Sequence, residues 1–508
     1  MADQVARQPI SADYARAVLA ARAAPRGSMV ENYATAAVVT FLMILGFAIL
    51  APGCRHWFVM PLWICGILAG ADIVAWIRGQ LDNFDPRAMI GILAYHGCAV
   101  SPLLHMFHGN DAFTPYFNSQ IEDWGYWFGV MSGFNALGLV IFHLVQARTY
   151  RATRPLRTTW QVDDSRFLNV LLWAIAVSAV ATAFIILRFG GLKRDSDFLQ
   201  TGGDALVHTS WVLMLGDPLG LLIAMGVVRA LSDPRRRKSI ATIAVVLVAL
   251  AVAQFLILGL RGSRSALLYV LFMVAGMCHY RLGKIKVRWV LLGGVLMLAF
   301  VYYYAFFKRM GAQGFQALQS TEARLALEAR TGITFTGILL GDLSRAEMQT
   351  FMLHRLYNHS DRYRLRYGQT YWRSALTVIP RAIWPDKPPG KEEAGTNLQY
   401  GEGTFRLNVS KSTRVYGLAG EAMLNFGTFG IPMMFAVYGW LVGWYRRKLS
   451  SLRADDARLF IVPMFSLALI LTFFADSDNL IFGLLKNGTL PTLVVVLGSV
   501  RAATALRR

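Results

Sequence analysis

The sequence predicts an all-α polytopic membrane protein of about twelve transmembrane helices, with a large outer loop between the ninth and tenth. Three observations carry that expectation. Of 508 residues, 55% are hydrophobic, and the mean hydropathy is +0.43, too apolar for a soluble chain of this size. Apolar runs of eighteen or more residues recur, each long enough to cross a hydrocarbon core of roughly 30 Å. Lys and Arg gather in alternate connections between these runs, as they do in cytoplasmic loops.

Taken in order, the runs are 33–52, 57–77, 87–107, 125–147, 168–188, 209–230, 240–260, 264–281, 289–307, 416–445, 459–475 and 480–500. In lipid the backbone must bond to itself, so each is expected to be a helix. No internal repeat is visible. The polar segment 1–32 carries Arg7, Arg16, Arg22 and Arg26 but lacks the apolar core of a signal peptide, so the first span is expected to act as an uncleaved anchor. Cys54, Cys65, Cys98 and Cys278 have no metal-type spacing, which argues against a disulfide framework or a zinc site. The net charge of +21 fits the cytoplasmic Lys/Arg excess better than nucleic-acid binding.

Loop charge orients the bundle. Segments 148–166, 229–238 ("RALSDPRRRK"), 281–288 ("RLGKIKVR"), 446–458 and the tail 501–508 are basic and expected inside, while 108–124 has no Lys or Arg. Both termini are therefore expected on the cytoplasmic side, with 33–307 forming spans one to nine, 308–415 an outer loop and 416–500 the last three spans. The outer loop has an amphipathic stretch at 339–357 and an aromatic, proline-rich one at 367–390. A loop this long without a flexible tract is usually functional, and its apolar content leads us to expect that it packs over the outer mouth of the bundle.

Ionisable residues inside spans invite a functional hypothesis. Asp217, Lys486, Glu421 and Arg188 fall in the outer half, and Asp72 near the inner end. Such crowding suggests a polar cavity open to the outside. Plainer readings stand beside it: Asp217 and Lys486 as a structural bridge, Arg188 and Asp72 snorkelling to an interface, and Glu421 complementing a helix N-terminus. The connection "LRGSRS" (260–265) breaks the charge rule by placing Arg261 and Arg264 outside. Their i,i+3 spacing allows one shared face, and the planar guanidinium fork suits phosphate. They serve either as an anion site or as hairpin anchors. His354 and His359 lie in the outer loop, within reach of a sugar hydroxyl if it folds over the cavity. No Walker, dinucleotide-binding or HExxH motif occurs.

Three stretches carry a resemblance: "DNFDPRAMIGILAY" (82–95), "LRGSRSALLYV" (260–270), and, within 343–430, "LSRAEMQTF", "YGQTYWRSALTVIPRAIWPDKP" and "STRVYGLAGEAMLNFGTFG". Together with the span pattern they resemble the bacterial Wzy-type O-antigen or oligosaccharide repeat-unit polymerases. That resemblance implies a GT-C-like glycosyltransferase of the inner membrane with a periplasmic active face. Such an enzyme transfers a glycan chain from undecaprenyl pyrophosphate onto the next lipid-linked repeat, in O-antigen, capsule or exopolysaccharide synthesis. It implies no nucleotide sugar, cofactor or metal, and chain-length regulator and flippase proteins as partners.

In that chemistry Arg261, Arg264, Arg345 and Arg381 are the candidates for the diphosphate, since preorganised cations at a developing charge are usually the largest catalytic term. Glu421 is the candidate base, with Glu347 and His354 in reserve. Tyr371, Trp372 and Trp384 are candidates for stacking on sugar faces, or for packing. Two rivals share the pattern. One is an O-antigen ligase, which uses a different acceptor. The other is a transporter of the same lipid-linked sugars, for which "GDPLG" (216–220) would break the sixth span.

Overall fold

The computed structural model describes residues 28–109, 121–150, 158–188, 212, 214–232, 264–379, 383–384, 386–406 and 414–503. Among them are nine helices long and apolar enough to cross a membrane. The chain is a multi-pass helical membrane protein. The expected span 240–260 and residues Arg261 and Arg381 lie outside the described residues, as do the side chains of Arg188 and Arg264.

The first helices are α1 (Met29–Leu50) and α2 (Val59–Ile77). Ser28 caps α1 by accepting the Glu31 amide N–H. The third span is α3 (Pro86–Tyr95), a π turn (His96–Val100) and α4 (Ser101–His108), followed by α5 (Trp124–Tyr150). Strand β1 (Thr158–Val162) precedes α6 (Asp164–Arg188), and α7 (Leu219–Leu231) and α8 (Arg264–Arg281) follow. Then come α9 (Val287–Met310), α10 (Thr321–Thr331), α11 (Ala346–Asn358), α12 (Gln369–Ala375) and α13 (Lys391–Tyr400). The chain ends with α14 (Gly417–Phe426), α15 (Gly430–Leu449), α16 (Val462–Thr472), α17 (Ser477–Leu497) and β2 (Ser499–Ala503).

Small residues set the closest helix approach. Gly439 and Gly443, one turn apart on α15, lie against the α5 backbone at Phe142 and Gln146. A Cβ at Gly439 would come within 2.6 Å of the Phe142 carbonyl oxygen. This is the small-xxx-small device by which helices in lipid pack without a hydrophobic driving force between them.

One end of the bundle gathers the connections expected inside. Asp85 caps α3 and accepts from Arg446 Nε at 2.7 Å. Asp72 pairs with Arg87 at 2.6 Å, and Asp82 accepts from His279 Nε2 at 3.0 Å. Asn83 receives the Trp76 indole N–H at 2.7 Å and donates to the Ile285 carbonyl at 2.5 Å. β1 and β2 pair antiparallel, with Trp160 opposite Arg501. Asp456 accepts the Trp160 amide N–H and pairs with Arg458. Every residue of "DNFDPR" except Phe84 and Pro86 thus makes a polar tie to another element.

Several expectations are corrected. Asp72 does not snorkel to an interface; it is buried and neutralised by Arg87. The span expected at 416–445 is two helices, because Gly427, at φ +62, breaks it and brings Gly430 against the Ala422 carbonyl; only glycine takes such a φ readily. With 20 residues, α15 is long enough by itself to cross a bilayer. The stretch expected to be the eleventh span is a shorter apolar helix, Val462–Thr472, whereas the eighth is helical over the expected 264–281. The last span stops at Leu497, and the chain beyond opens into a strand rather than a plain tail.

The buried Arg446–Asp85 pair generates a test. Arg446→Ala strands a buried carboxylate, which costs about 3–5 kcal/mol. The variant should unfold at a clearly lower temperature in detergent, and Asp85→Asn in the same chain should restore much of the loss.

Candidate functional site

The segment between α9 and α15 forms a helical cap packed into the end of the bundle opposite the charged connections. In α11 every residue from Ala346 to His354 is buried, so this helix is inserted between spans rather than laid on them. Gln349 donates to the Tyr416 carbonyl at 2.9 Å, tying α11 to the start of α14. The π turn of the third span meets a second one at Ile338–Asp342, where His96 Nε2 donates to the Leu339 carbonyl at 2.9 Å. Such turns leave carbonyls without an ordinary helical partner and are frequent at functional sites.

The exposed carbonyls at the C-terminus of α14 are taken by 363–367. The Tyr363 hydroxyl donates to the Leu424 carbonyl at 2.8 Å, and the Tyr367 amide to that of Asn425 at 2.9 Å. Asn425 has no exposed surface. Its Oδ1 accepts the Gly368 and Thr370 amides, and its Nδ2 donates to Thr370 Oγ1 and the Glu421 carbonyl. A buried amide with four partners fixes the α12–α14 geometry.

Glu421 sits inside this frame. Thr370 Oγ1 donates to its Oε1 at 2.7 Å, Ser477 Oγ to the same atom at 2.5 Å, and the Ser477 amide to Oε2 at 2.7 Å. Ser374 Oγ lies 2.8 Å from Ser477 Oγ. A carboxylate held by two hydroxyls is a proton acceptor whose donors an incoming hydroxyl could replace. Beside it, the buried Asp476 accepts the Tyr416 and Gly417 amides at 2.8 Å each and pairs with Lys391. Burial opposes the Lys391 charge, but Asp476 and Asp478 outweigh it and hold the ammonium pKa above its ordinary value.

Arg345 stands at the foot of α11. Its guanidinium donates to the carbonyls of Gly341, Asp342, Ser344 and Phe474 and lies 4.2 Å from the Phe474 ring centroid. Arg345 touches Gly417, where a Cβ would be 3.4 Å from its Cγ, so Arg345 and Glu421 flank the first turns of α14. A cavity of about 20 Å³ opens here, lined by Cys98, Asn135, Arg345, Gln349, Phe435 and Phe473 among others, with room for a water.

The structure therefore sets Arg345 against the first turn of α14, the helix that carries Glu421 one turn further on. It sets Glu347 and His354 elsewhere on α11, with the His354 ring 5.2 Å from Trp127; burial holds that imidazole below its ordinary pKa and so neutral at pH 7. The Tyr371 ring is stacked on Phe426, which is packing, whereas Trp372 and Trp384 are exposed. Asp217 pairs with Lys486, the structural-bridge reading. Sequence reasoning missed Asp476, Lys391, Ser477, Thr370 and Asn425. The available signal was the acidic turn "ADSDN" (475–479) between two apolar runs, charged where a plain turn would do.

Comparison with protein-family models, with curated proteins and with solved structures returns no match to this chain.

Asp476→Ala should leave two buried amides without their acceptor and the Lys391 ammonium with Asp478 alone, 3.4 Å away, at a cost of roughly 3 kcal/mol or more. The expected result is a lower thermal midpoint and faster proteolysis between α12 and α13. Adding Lys391→Met should recover part of the midpoint, since the half-compensated charge is then gone.

Proposed function

We propose that the protein is an oligosaccharide repeat-unit polymerase that transfers a polyprenyl-pyrophosphate-linked glycan chain onto the next lipid-linked repeat, at the periplasmic face of the inner membrane. The observation that carries the reading is Glu421, held by Thr370 one turn beyond the Gly417 on which Arg345 packs, all from the 343–430 stretch that bears the strongest resemblance. In this reaction the acceptor hydroxyl attacks the anomeric carbon. A carbon–oxygen bond forms, the bond to the pyrophosphate breaks, and the hydroxyl proton passes to a base. Glu421 takes that proton, with the acceptor hydroxyl replacing the Thr370 or Ser477 donor. The guanidinium of Arg345, joined by Arg261, Arg264 and Arg381, meets the charge developing on the departing pyrophosphate. The ligase and transporter readings remain the rivals, with no structural observation favouring either.

Three measurements test this. Cells lacking the protein should carry single repeats on the acceptor lipid; long unattached chains would indicate a ligase. Purified protein should lengthen a lipid-linked repeat in detergent, which a transporter would not do. Glu421→Gln and Arg345→Lys should each slow elongation by roughly 10²–10³ while reaching the membrane in normal amounts, and Arg261→Lys and Arg264→Lys should impair it likewise. For sidedness, Tyr400→Cys, exposed on the cap, should react with an impermeant thiol reagent from outside, and Arg453→Cys should not.

A further inference from the structure

The first part of the cap, residues 311–338, folds back along α9. That helix is bracketed by basic residues, with Arg288 lying 5.3 Å from the Trp289 ring at one end and Lys308 and Arg309 in its last turn at the other. From Trp289 to Phe307 it rises about 28 Å, at about 1.5 Å for each of about 19 residues. That matches a hydrocarbon core of roughly 30 Å. Yet the helix is clothed unevenly. No residue from 288 to 300 is buried, whereas Val301, Tyr302, Tyr304, Phe306 and Phe307 are.

The 311–338 segment is what packs on that second half. Ala317, Leu327 and Ile338 join Val301, Tyr302 and Phe306 in one apolar cluster. Glu328 accepts the Tyr302 hydroxyl hydrogen, and Phe335 meets the Tyr302 ring edge-on at 5.7 Å. Tyr302 lies about 10 Å along the axis from Arg309. The segment therefore descends well past the level of the bracketing cations.

Its outward face is mixed, with four large apolar groups beside the exposed Gln313, Gln316, Gln319, Thr321, Glu322 and Arg330. Phe315, Leu318, Leu325 and Phe335 are each between 45% and 61% exposed. Several of its inward polar groups are tied within the protein. Arg324 Nε lies 3.8 Å from Glu328, Arg309 donates to the Thr331 carbonyl, and Thr331 Oγ1 donates to the Leu327 carbonyl at 2.6 Å. Ser320 caps the N-terminus of α10, and Gly332, left-handed, closes its C-terminus. Large apolar groups beside polar ones on one outward face suit the boundary between acyl chains and headgroups. Glu322 and Arg330, also exposed, give α10 the polar edge of an interfacial helix.

We infer that residues 311–338 are seated in the membrane itself, as an interfacial helical shelf beside α9 whose Leu318 and Leu325 face acyl chains. The occupant of this apolar surface is lipid, because the surface continues the exposed flank of α9 at hydrocarbon depth. The inference stands apart from the proposed activity.

The test uses the native cysteines, all four of which are buried. Leu318→Cys and Leu325→Cys are spin-labelled in full-length protein reconstituted into phosphatidylethanolamine–phosphatidylglycerol vesicles. Val295→Cys on α9 marks lipid and Asp361→Cys, exposed on the cap, marks water. Collision with oxygen relative to a water-soluble nickel chelate is then measured. Ratios at 318 and 325 nearer to that at 295 than to that at 361 are expected. Ratios nearer to that at 361 place the shelf in water and overturn the inference. Low collision with both reagents means that protein covers the surface, and overturns it as well.

Discussion

Asp476 holds the capped end together. Its side chain reaches two separately built pieces at once, α13 through Lys391 and the N-terminus of α14 through the Tyr416 and Gly417 amides, while its backbone leads into α17 at the next residue. Helix N-termini leave amides unpaired, and inside a membrane protein water cannot supply acceptors. A buried carboxylate solves this for α14, but its own charge then needs a cation, which α13 provides. The position of Glu421, one turn further along α14, follows from that arrangement.

Both ends of the bundle use charge pairs, but the immediate surroundings of Glu421 do not. At one end, charge pairs such as Asp72–Arg87 and Asp85–Arg446 clamp span to span. At the other, around Glu421, the ties run mainly through hydroxyls and an amide. Ion pairs give strength only when both partners stay in place. Hydroxyl donors can rotate and be replaced by another hydroxyl at little cost. The surroundings of Glu421 are therefore where an incoming hydroxyl could take over existing hydrogen bonds without leaving a charge stranded.

Much of this architecture was legible in the residues. Long apolar runs announce spans because composition alone decides whether a helix can sit in lipid, and eleven of the expected runs meet an apolar helix among the described residues. The insertion of the cap was legible too, from its aromatic content. The break at Gly427 was not, since "EAMLNFGTFGIPMM" is apolar on both sides and the signal is one backbone torsion. The surroundings of Glu421 were hidden for another reason. Its donors come from residues 51 and 56 positions away, and Thr and Ser carry no pattern that marks such partners. Tyr371 could be read either as a sugar platform or as packing, and only the position of Phe426 decides.

The pairing of β1 with β2 bears on biogenesis. Residues 499–503 zip onto residues 158–162, made more than three hundred positions earlier. A contact so distant in sequence is slow to form and cannot close before Ala503 has been made. Until then Asp456, Trp160 and Arg458 have only part of their final company. The charged end is thus sealed only once α17 and β2 have been made, and a nascent chain halted short of Ser499 would leave the bundle unlatched there.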